Sequence, residues 1–219
     1  MKSVSAPVPT QVRHPIFARV YRRLAANMER VGSAEHRDRL VADLVGMVVE
    51  VGVGSGLNLA HYPPSVSEVI AVEPEPYLRA CCVEAARQAS VPTKVVDGTA
   101  EHLPLDGSSA DAGVVSLVSC SVPDQQAALA ELRRVIRPGG ELRFYEHVLS
   151  ADPAWARRQH RLDKYHTVFA GGCHVDRDTE TAISSAGFRI EECDRFQFAP
   201  CALAKLAGSY ILGRAERVV

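Results

Sequence analysis

A short β-branched run, Met47-Val-Val-Glu-Val51, ends in glycine at every second position: Gly52, Gly54 and Gly56. An apolar run of this length closed by a glycine turn reads as a buried strand. Glycines spaced in this way let the backbone turn tightly and approach a ligand closely. The rest of the chain fits around that unit. Further strands are predicted over 69–72, 94–97, 111–119 and 141–147, and two last ones over 188–193 and 209–215. Between them lie a helix over 77–89 with Pro76 in its first turn, and one over 125–136 with Asp124 placed to cap it. Pro138-Gly139-Gly140 stops that second helix. Two more helices are predicted over 155–168 and 178–186. Ahead of the first strand, residues 15–45 read as a helix carrying Ile16, Phe17, Val20, Tyr21 and Leu24, an interruption at Gly32, and a second helix over 34–44. Residues 1–12 read as a loosely attached extension.

Strands alternating with helices imply a parallel sheet with right-handed crossovers. Strands that are apolar throughout imply that both faces of the sheet are covered. The expected architecture is a single α/β domain over 1–219: a doubly wound, mostly parallel, seven-stranded Rossmann-like sheet with an N-terminal helical cap. Within it, 1–45 form the extension and cap, 46–147 the ligand-binding half and 148–219 the substrate side.

Composition narrows the partners. A net charge of −1 supplies no field toward nucleic acid or an anionic membrane, and no basic patch with interleaved aromatics appears. No segment approaches the ~20 apolar residues of a membrane span, and the first residues carry no leader-like apolar run. The expectation is a cytoplasmic protein acting on a small molecule, with no nucleic-acid or membrane partner. The oligomeric state is unknown from these features. The six cysteines, Cys81, Cys82, Cys120, Cys173, Cys193 and Cys201, read as free thiols. None stands at zinc-site spacing, so no metal is expected.

In an open α/β sheet the ligand sits at the carboxyl ends of the strands, where the strand order reverses. Gly52, Gly54 and Gly56 fall there. Glu73, at the end of the second strand and 17 residues beyond Gly56, can accept hydrogen bonds from both ribose hydroxyls of a nucleoside. The dinucleotide fingerprint needs a small residue where this chain has Leu57, which argues against a nicotinamide-dependent oxidoreductase. Glu50, two residues before the first glycine, together with the alternating glycines, instead resembles the acidic glycine-rich motif of class I S-adenosylmethionine-dependent methyltransferases. Val72-Glu73-Pro74 resembles that family's second motif. Asp97-Gly-Thr-Ala-Glu-His-Leu-Pro104, Asp111 at the start of strand four, and Leu132-Arg-Arg-Val-Ile-Arg-Pro-Gly-Gly140 resemble the ubiquinone/menaquinone-methyltransferase-like group.

The resemblance implies S-adenosylmethionine as cofactor and a role for each matched residue. Glu50, Gly52, Gly54 and Gly56 would wrap the methionine and ribose. Glu73 would hold the ribose hydroxyls. Thr99, Ala100 and Glu101 would border the adenine, and Ser116 and Leu117 would touch the cofactor through backbone groups. More narrowly, Gly56-Leu-Asn-Leu-Ala-His-Tyr-Pro-Pro64, Leu117-Val-Ser-Cys-Ser-Val122, Tyr145-Glu-His-Val148 and Gly172-Cys173 look like the thiol S-methyltransferase-like family. The chain departs from that family's animal members in lacking an apolar N-terminal anchor, so membrane attachment is not carried over.

A small-molecule thiol is therefore the first acceptor to consider, since thiols ionise near neutrality. Phenolic oxygen or heteroaromatic nitrogen is the alternative. A nucleotide-dependent oxidoreductase and a non-catalytic cofactor-binding module are the competing classes. His147, at the carboxyl end of the fifth strand, is the general-base candidate; a structural histidine is the other reading of the same residue. Cys120 reads as a small pocket-lining group and His174 as a loop-packing histidine. Phe196, Phe198 and Pro200 suggest an apolar pocket wall, and the helix carrying Phe17 and Tyr21 reads equally as a lid or as simple edge packing.

Overall fold

The computed structural model describes residues 15–199 and 202–218. The expected extension over 1–12, the side chain of Phe17, Pro200 and Cys201 lie outside the described residues. The β-branched run forms β1 (Gly46–Val51), which pairs in parallel with β2 (Val66–Val72) on one side and β4 (Ala110–Ser116) on the other. With β3 (Thr93–Val96), β5 (Ile136–His147), β6 (Phe188–Gln197) and β7 (Ser209–Arg217), the sheet order is β3-β2-β1-β4-β5-β7-β6. Only β7 runs against its neighbours, pairing antiparallel with β5 and β6. The seven-stranded, mostly parallel sheet is the one the sequence leads one to expect. Its order reverses between β1 and β4, so their carboxyl ends open a crevice for a ligand.

Alternate residues of β1 explain why both faces are covered. Val49 and Val51 pack with Leu129, Leu132 and Val135 of α4 (Gln125–Val135) and with Ile183 of α6 (Thr179–Ser185). Val48 faces the other way, toward Leu40 and Val41 of α2 (Ala34–Val41) and Cys82 of α3 (Pro76–Ala86). The N-terminal cap is α1 (Pro15–Met28), separated from α2 by a break at Gly32, where φ is +126°. The long helix α5 (Pro153–Phe169) follows β5. Asp124 caps α4 by accepting from the Ala127 N–H, as expected. Among the described residues no helix is long and apolar enough to cross a membrane.

Two of the boundaries that differ from the periodicity do so for a backbone reason. β4 stops at Ser116 because Leu117 takes a φ of +60° and turns its N–H onto the Tyr145 carbonyl. β5 begins at Ile136 because pairing with Ala110 starts before Pro138-Gly139-Gly140, which forms an irregular strand entry. A side chain at Gly140 would stand 2.6 Å from the Asp111 carbonyl oxygen, so glycine is required there. The glycine loop runs into a single 3-10 turn over Leu57–Ala60, not directly into a long helix.

Candidate functional site

The crevice has two halves. The first is the glycine loop. Gly52, Gly54 and Gly56 all take positive φ (+63°, +61° and +86°), a conformation that L side chains rarely adopt. At Gly52 a Cβ would collide with Val118 at 2.6 Å, and at Gly56 with Ala85 at 2.8 Å. At Gly54 the nearest atom is Tyr21 Cε1 at 3.8 Å, so this glycine faces open space under α1. The Gly52 and Val53 amides donate to the Val72 carbonyl, which ties the loop to the end of β2. Glu73 completes the tie. Its Oε2 accepts from the Gly54 N–H at 2.8 Å and its Oε1 from the Glu75 N–H at 2.9 Å. Burial raises its pKa, and those two amides hold the rise back.

Glu50 sits beneath the loop, 2% exposed. Its two oxygens accept from Asn58 Nδ2 at 2.7 Å and Tyr62 Oη at 2.9 Å. It thus straps the 3-10 turn back onto β1. Desolvation raises its pKa to about 7 against the pull of those two hydrogen bonds. Asn58 in turn accepts from Arg37, a buried α2 side chain that also donates to Glu29 at 2.9 Å. The cleft here is lined by Tyr21, Arg37, Gly54, Ser55 and Ser116, among others. Ser116 Oγ is buried there with no hydrogen-bond partner. Sequence reasoning missed Arg37 because a lone arginine on a helix reads as a solvent-facing charge.

Thr99, Ala100 and Glu101 follow β3 in a tight turn closed by a bridge between Thr99 and His102. Ala100 is buried. Asp97 pairs with Arg79 at 3.1 Å. Leu117 begins the loop that leaves β4 and leads to the second half.

That second half gathers three segments distant in sequence. Cys120 comes from the loop after β4, His147 from the end of β5, and Cys173 from the loop after α5. The two Sγ atoms lie 3.4 Å apart, and His147 Nδ1 stands 3.3 Å from Cys173 Sγ and 3.7 Å from Cys120 Sγ. His147 Nε2 meets Tyr210 Oη at 2.9 Å. Both cysteines are buried, and His147 is half-buried. The Cys173 thiol and burial push the Cys120 thiol well above its ordinary range.

The loop carrying Cys120 is held from several sides. Glu146, fully buried, accepts from the amides of Val118 (3.0 Å), Ser119 (2.9 Å) and Cys120 (3.2 Å). Arg177 donates to the carbonyls of Ser119 and Val122. The loop carrying Cys173 lies directly on it. The His174 amide donates to the Cys120 carbonyl at 2.8 Å, and a Cβ on Gly172 would stand 3.3 Å from the Ser121 carbonyl oxygen. His174 itself turns away to Asp163 at 2.7 Å. The sequence holds no short-range sign of this cluster, because its members are 26, 27 and 53 residues apart. Phe196 and Phe198 stand against Tyr210 in a ring cluster that also includes Tyr145 and His36.

Comparison with known proteins meets this geometry. Residues 49–144 match the family model described as "Methyltransferase domain". The human thiol S-methyltransferase TMT1A is 34% identical over 146 residues, covering 64% of this chain and 59% of the relative. The human thiol S-methyltransferase TMT1B is 31% identical over 175 residues, covering 78% and 70%. Among solved structures, a SAM-dependent methyltransferase from Thermotoga maritima superposes with a TM-score of 0.66 at 25% identity, covering 92% of this chain and 98% of that one.

Proposed function

The chain belongs to the class I S-adenosylmethionine-dependent methyltransferases, as a relative of the thiol S-methyltransferases, and from that premise we propose that it moves the methyl group to the sulfur of a small-molecule thiol. The observation that carries the proposal is the meeting of the two half-sites at the carboxyl ends of β1, β4 and β5. A glycine-loop cradle with a buried acid lies beside a buried cysteine–histidine cluster.

Three features of the cradle support the cofactor assignment. The unsatisfied Ser116 Oγ, the open face of Gly54 and the buried acid Glu73 are what a ribose-bearing ligand would engage. In this reading Glu73 accepts from the ribose hydroxyls with the lone pairs that its two amides leave over. Thr99, Ala100 and Glu101 border the adenine. Gly52, Gly54, Gly56, Ser116 and Leu117 line the methionine and ribose. Glu50 acts through Asn58 to keep the loop in shape. Arg37 supplies the positive charge that a methionine carboxylate would seek. S-adenosylmethionine, when bound, supplies an electrophilic methyl on a sulfonium. What the chain contributes is alignment of the acceptor with it and exclusion of water by α1 and the loops. With no metal ion bound beside it, His147 stands at the acceptor end as the group that takes the acceptor's proton.

The proposal is tested by calorimetric titration of the purified chain with S-adenosylmethionine, S-adenosylhomocysteine and NAD, followed by an assay on thiols, phenols and pyridine-type heterocycles. Binding of the first two and methylation of thiols is the expected result. Binding of NAD alone would sink the methyltransferase reading for this chain. Turnover of phenols or heterocycles without any thiol would move the acceptor to oxygen or nitrogen.

A further inference from the structure

Cys120, His147 and Cys173 are more than a hydrogen-bonded group of side chains. Two thiols and an imidazole converge with their ligand atoms 3.3–3.7 Å apart. A tetrahedral zinc ion has Zn–S bonds of about 2.3 Å and Zn–N bonds of about 2.0–2.1 Å, so its ligand atoms stand roughly 3.5–3.8 Å from one another. The cluster needs movements of only a few tenths of an ångström to enclose such an ion. By contrast, a disulfide would require the sulfurs to close to about 2.05 Å. Two thiolates and an imidazole are also the donor types that select zinc-class cations over hard ones.

The surroundings carry the same signature. A metal-bound histidine ordinarily donates its second ring nitrogen to a fixed partner, which sets the tautomer and aims the ring. Here Nε2 faces Tyr210 Oη at 2.9 Å, which leaves Nδ1 as the nitrogen turned to the sulfurs. The backbone that carries Cys120 is fixed by Glu146 and Arg177, and the backbone of Cys173 is fixed by the His174 amide on the Cys120 carbonyl. Such support holds ligands in place before the ion arrives.

We propose that Cys120, His147 and Cys173 form a binding site for one zinc-class divalent cation, whose fourth coordination position receives the acceptor thiol. Three protein ligands with one position left open is the pattern of catalytic zinc sites, whereas structural sites are closed by four. The fourth-position clause rests on the thiol-methylation reading; the ion site itself does not. With the ion bound, His147 is a ligand and not a base. The entering thiol releases its proton to water. Its sulfur pair then forms the new carbon–sulfur bond while the sulfonium carbon–sulfur bond breaks, that pair staying on the departing thioether. The ion's charge is unchanged throughout.

The test uses the full chain, reduced and stripped by chelator, titrated with cobalt(II) as the spectroscopic substitute and with zinc by calorimetry. One ion per chain, with a thiolate-to-cobalt absorption in the near ultraviolet, is the expected result. Cys120→Ser and Cys173→Ser should each abolish that absorption and weaken zinc binding by more than about 100-fold. Tyr210→Phe, which keeps the ring, should weaken it about 10–100-fold. Adding a small thiol to the cobalt form should shift the absorption. Thermal unfolding and S-adenosylmethionine titration of the same samples report whether each variant is folded, and Tyr210→Phe keeps the test alive if a cysteine variant is not. No stoichiometric ion on the wild-type chain, or an absorption that survives in both serine variants, overturns the site. A cobalt spectrum indifferent to thiol overturns the fourth-position clause. Failure to bind S-adenosylmethionine defeats the functional reading instead, through a separate measurement.

Discussion

The two halves of the crevice are built in opposite ways. The glycine-loop half, proposed to hold the cofactor, is local: Glu50 reaches Asn58 and Tyr62 within 12 residues, and Glu73 reaches Gly54 and Glu75 within 19. Its glycines hold backbone conformations that other residues resist. The cysteine–histidine half, proposed for the acceptor, is assembled from afar, with Cys120, His147, Cys173 and Tyr210 arriving from four segments and Glu146 committing both carboxylate oxygens to the amides of the Cys120 loop. A site made from one continuous stretch can be copied between proteins as a motif. A site made from four segments can change its acceptor chemistry by loop substitutions while the cofactor half stays as it is.

Substitutions should therefore separate the halves. The largest effect is expected at Glu73→Ala, which removes the partner of two amides and, in the proposed complex, of the ribose hydroxyls. At roughly 1.5–3 kcal/mol per hydrogen bond to a charged group, S-adenosylmethionine affinity should fall about 100-fold or more. Cobalt binding at the cysteine cluster should be unchanged. Calorimetry on both ligands checks this, and a parallel loss of both would show that the halves are not separable.

Glu50 gives a pH signature. Burial raises its folded-state pKa from 4.5 to about 7, so between those values the folded chain holds a proton that the unfolded chain has lost. Stability is then fully present below about pH 4.5 and falls as pH rises through about 7, by up to about 3 kcal/mol from this group. In Glu50→Gln this contribution to the slope should vanish. Denaturant unfolding at about pH 5 and about pH 8 compares the two proteins, and equal slopes would mean that Glu50 does not titrate in this range.

These two carboxylates also mark what the sequence made legible. The parallel sheet, the capping of α4 by Asp124 and the glycine loop follow from periodicity and local spacing, and the structure has them. What was illegible lies where long-range geometry overrides local pattern. The apolar run 111–119 reads as one strand, yet Leu117 breaks it at a positive φ, where the Tyr145 carbonyl takes its own amide and Glu146 takes the amides that follow. Pro138-Gly139-Gly140 reads as a helix stop ahead of a strand at 141–147, yet it already lies within β5. Cys173 carries no local sign of its partner 53 residues away. His147 reads as a lone base candidate because Tyr210 lies 63 residues further on.

Smaller effects sharpen the contrast. Glu146→Gln keeps one acceptor oxygen but turns an N–H toward the backbone amides, leaving at least one buried donor unpaired, at a cost of about 1–3 kcal/mol. The melting temperature should fall by a few degrees, on the order of 2–4 °C per kcal/mol for a chain of this size. Turnover should fall with it, while S-adenosylmethionine affinity is preserved. A variant that loses cofactor affinity first would assign Glu146 to the wrong half. The smallest effect is expected for Gly54→Ala, where no atom lies closer than 3.8 Å to the added Cβ and the penalty is mainly the positive φ, about 1–2 kcal/mol. Its folding loss should stay within that range, measured by denaturant unfolding. Gly52→Ala, with Val118 at 2.6 Å, should cost more.

The most direct test follows the methyl group itself. The chain, with methyl-labelled S-adenosylmethionine and a small thiol, should release labelled methyl thioether and S-adenosylhomocysteine in a one-to-one ratio. Release of S-adenosylhomocysteine only with phenols or nitrogen heterocycles, and none with any thiol, would contradict the account.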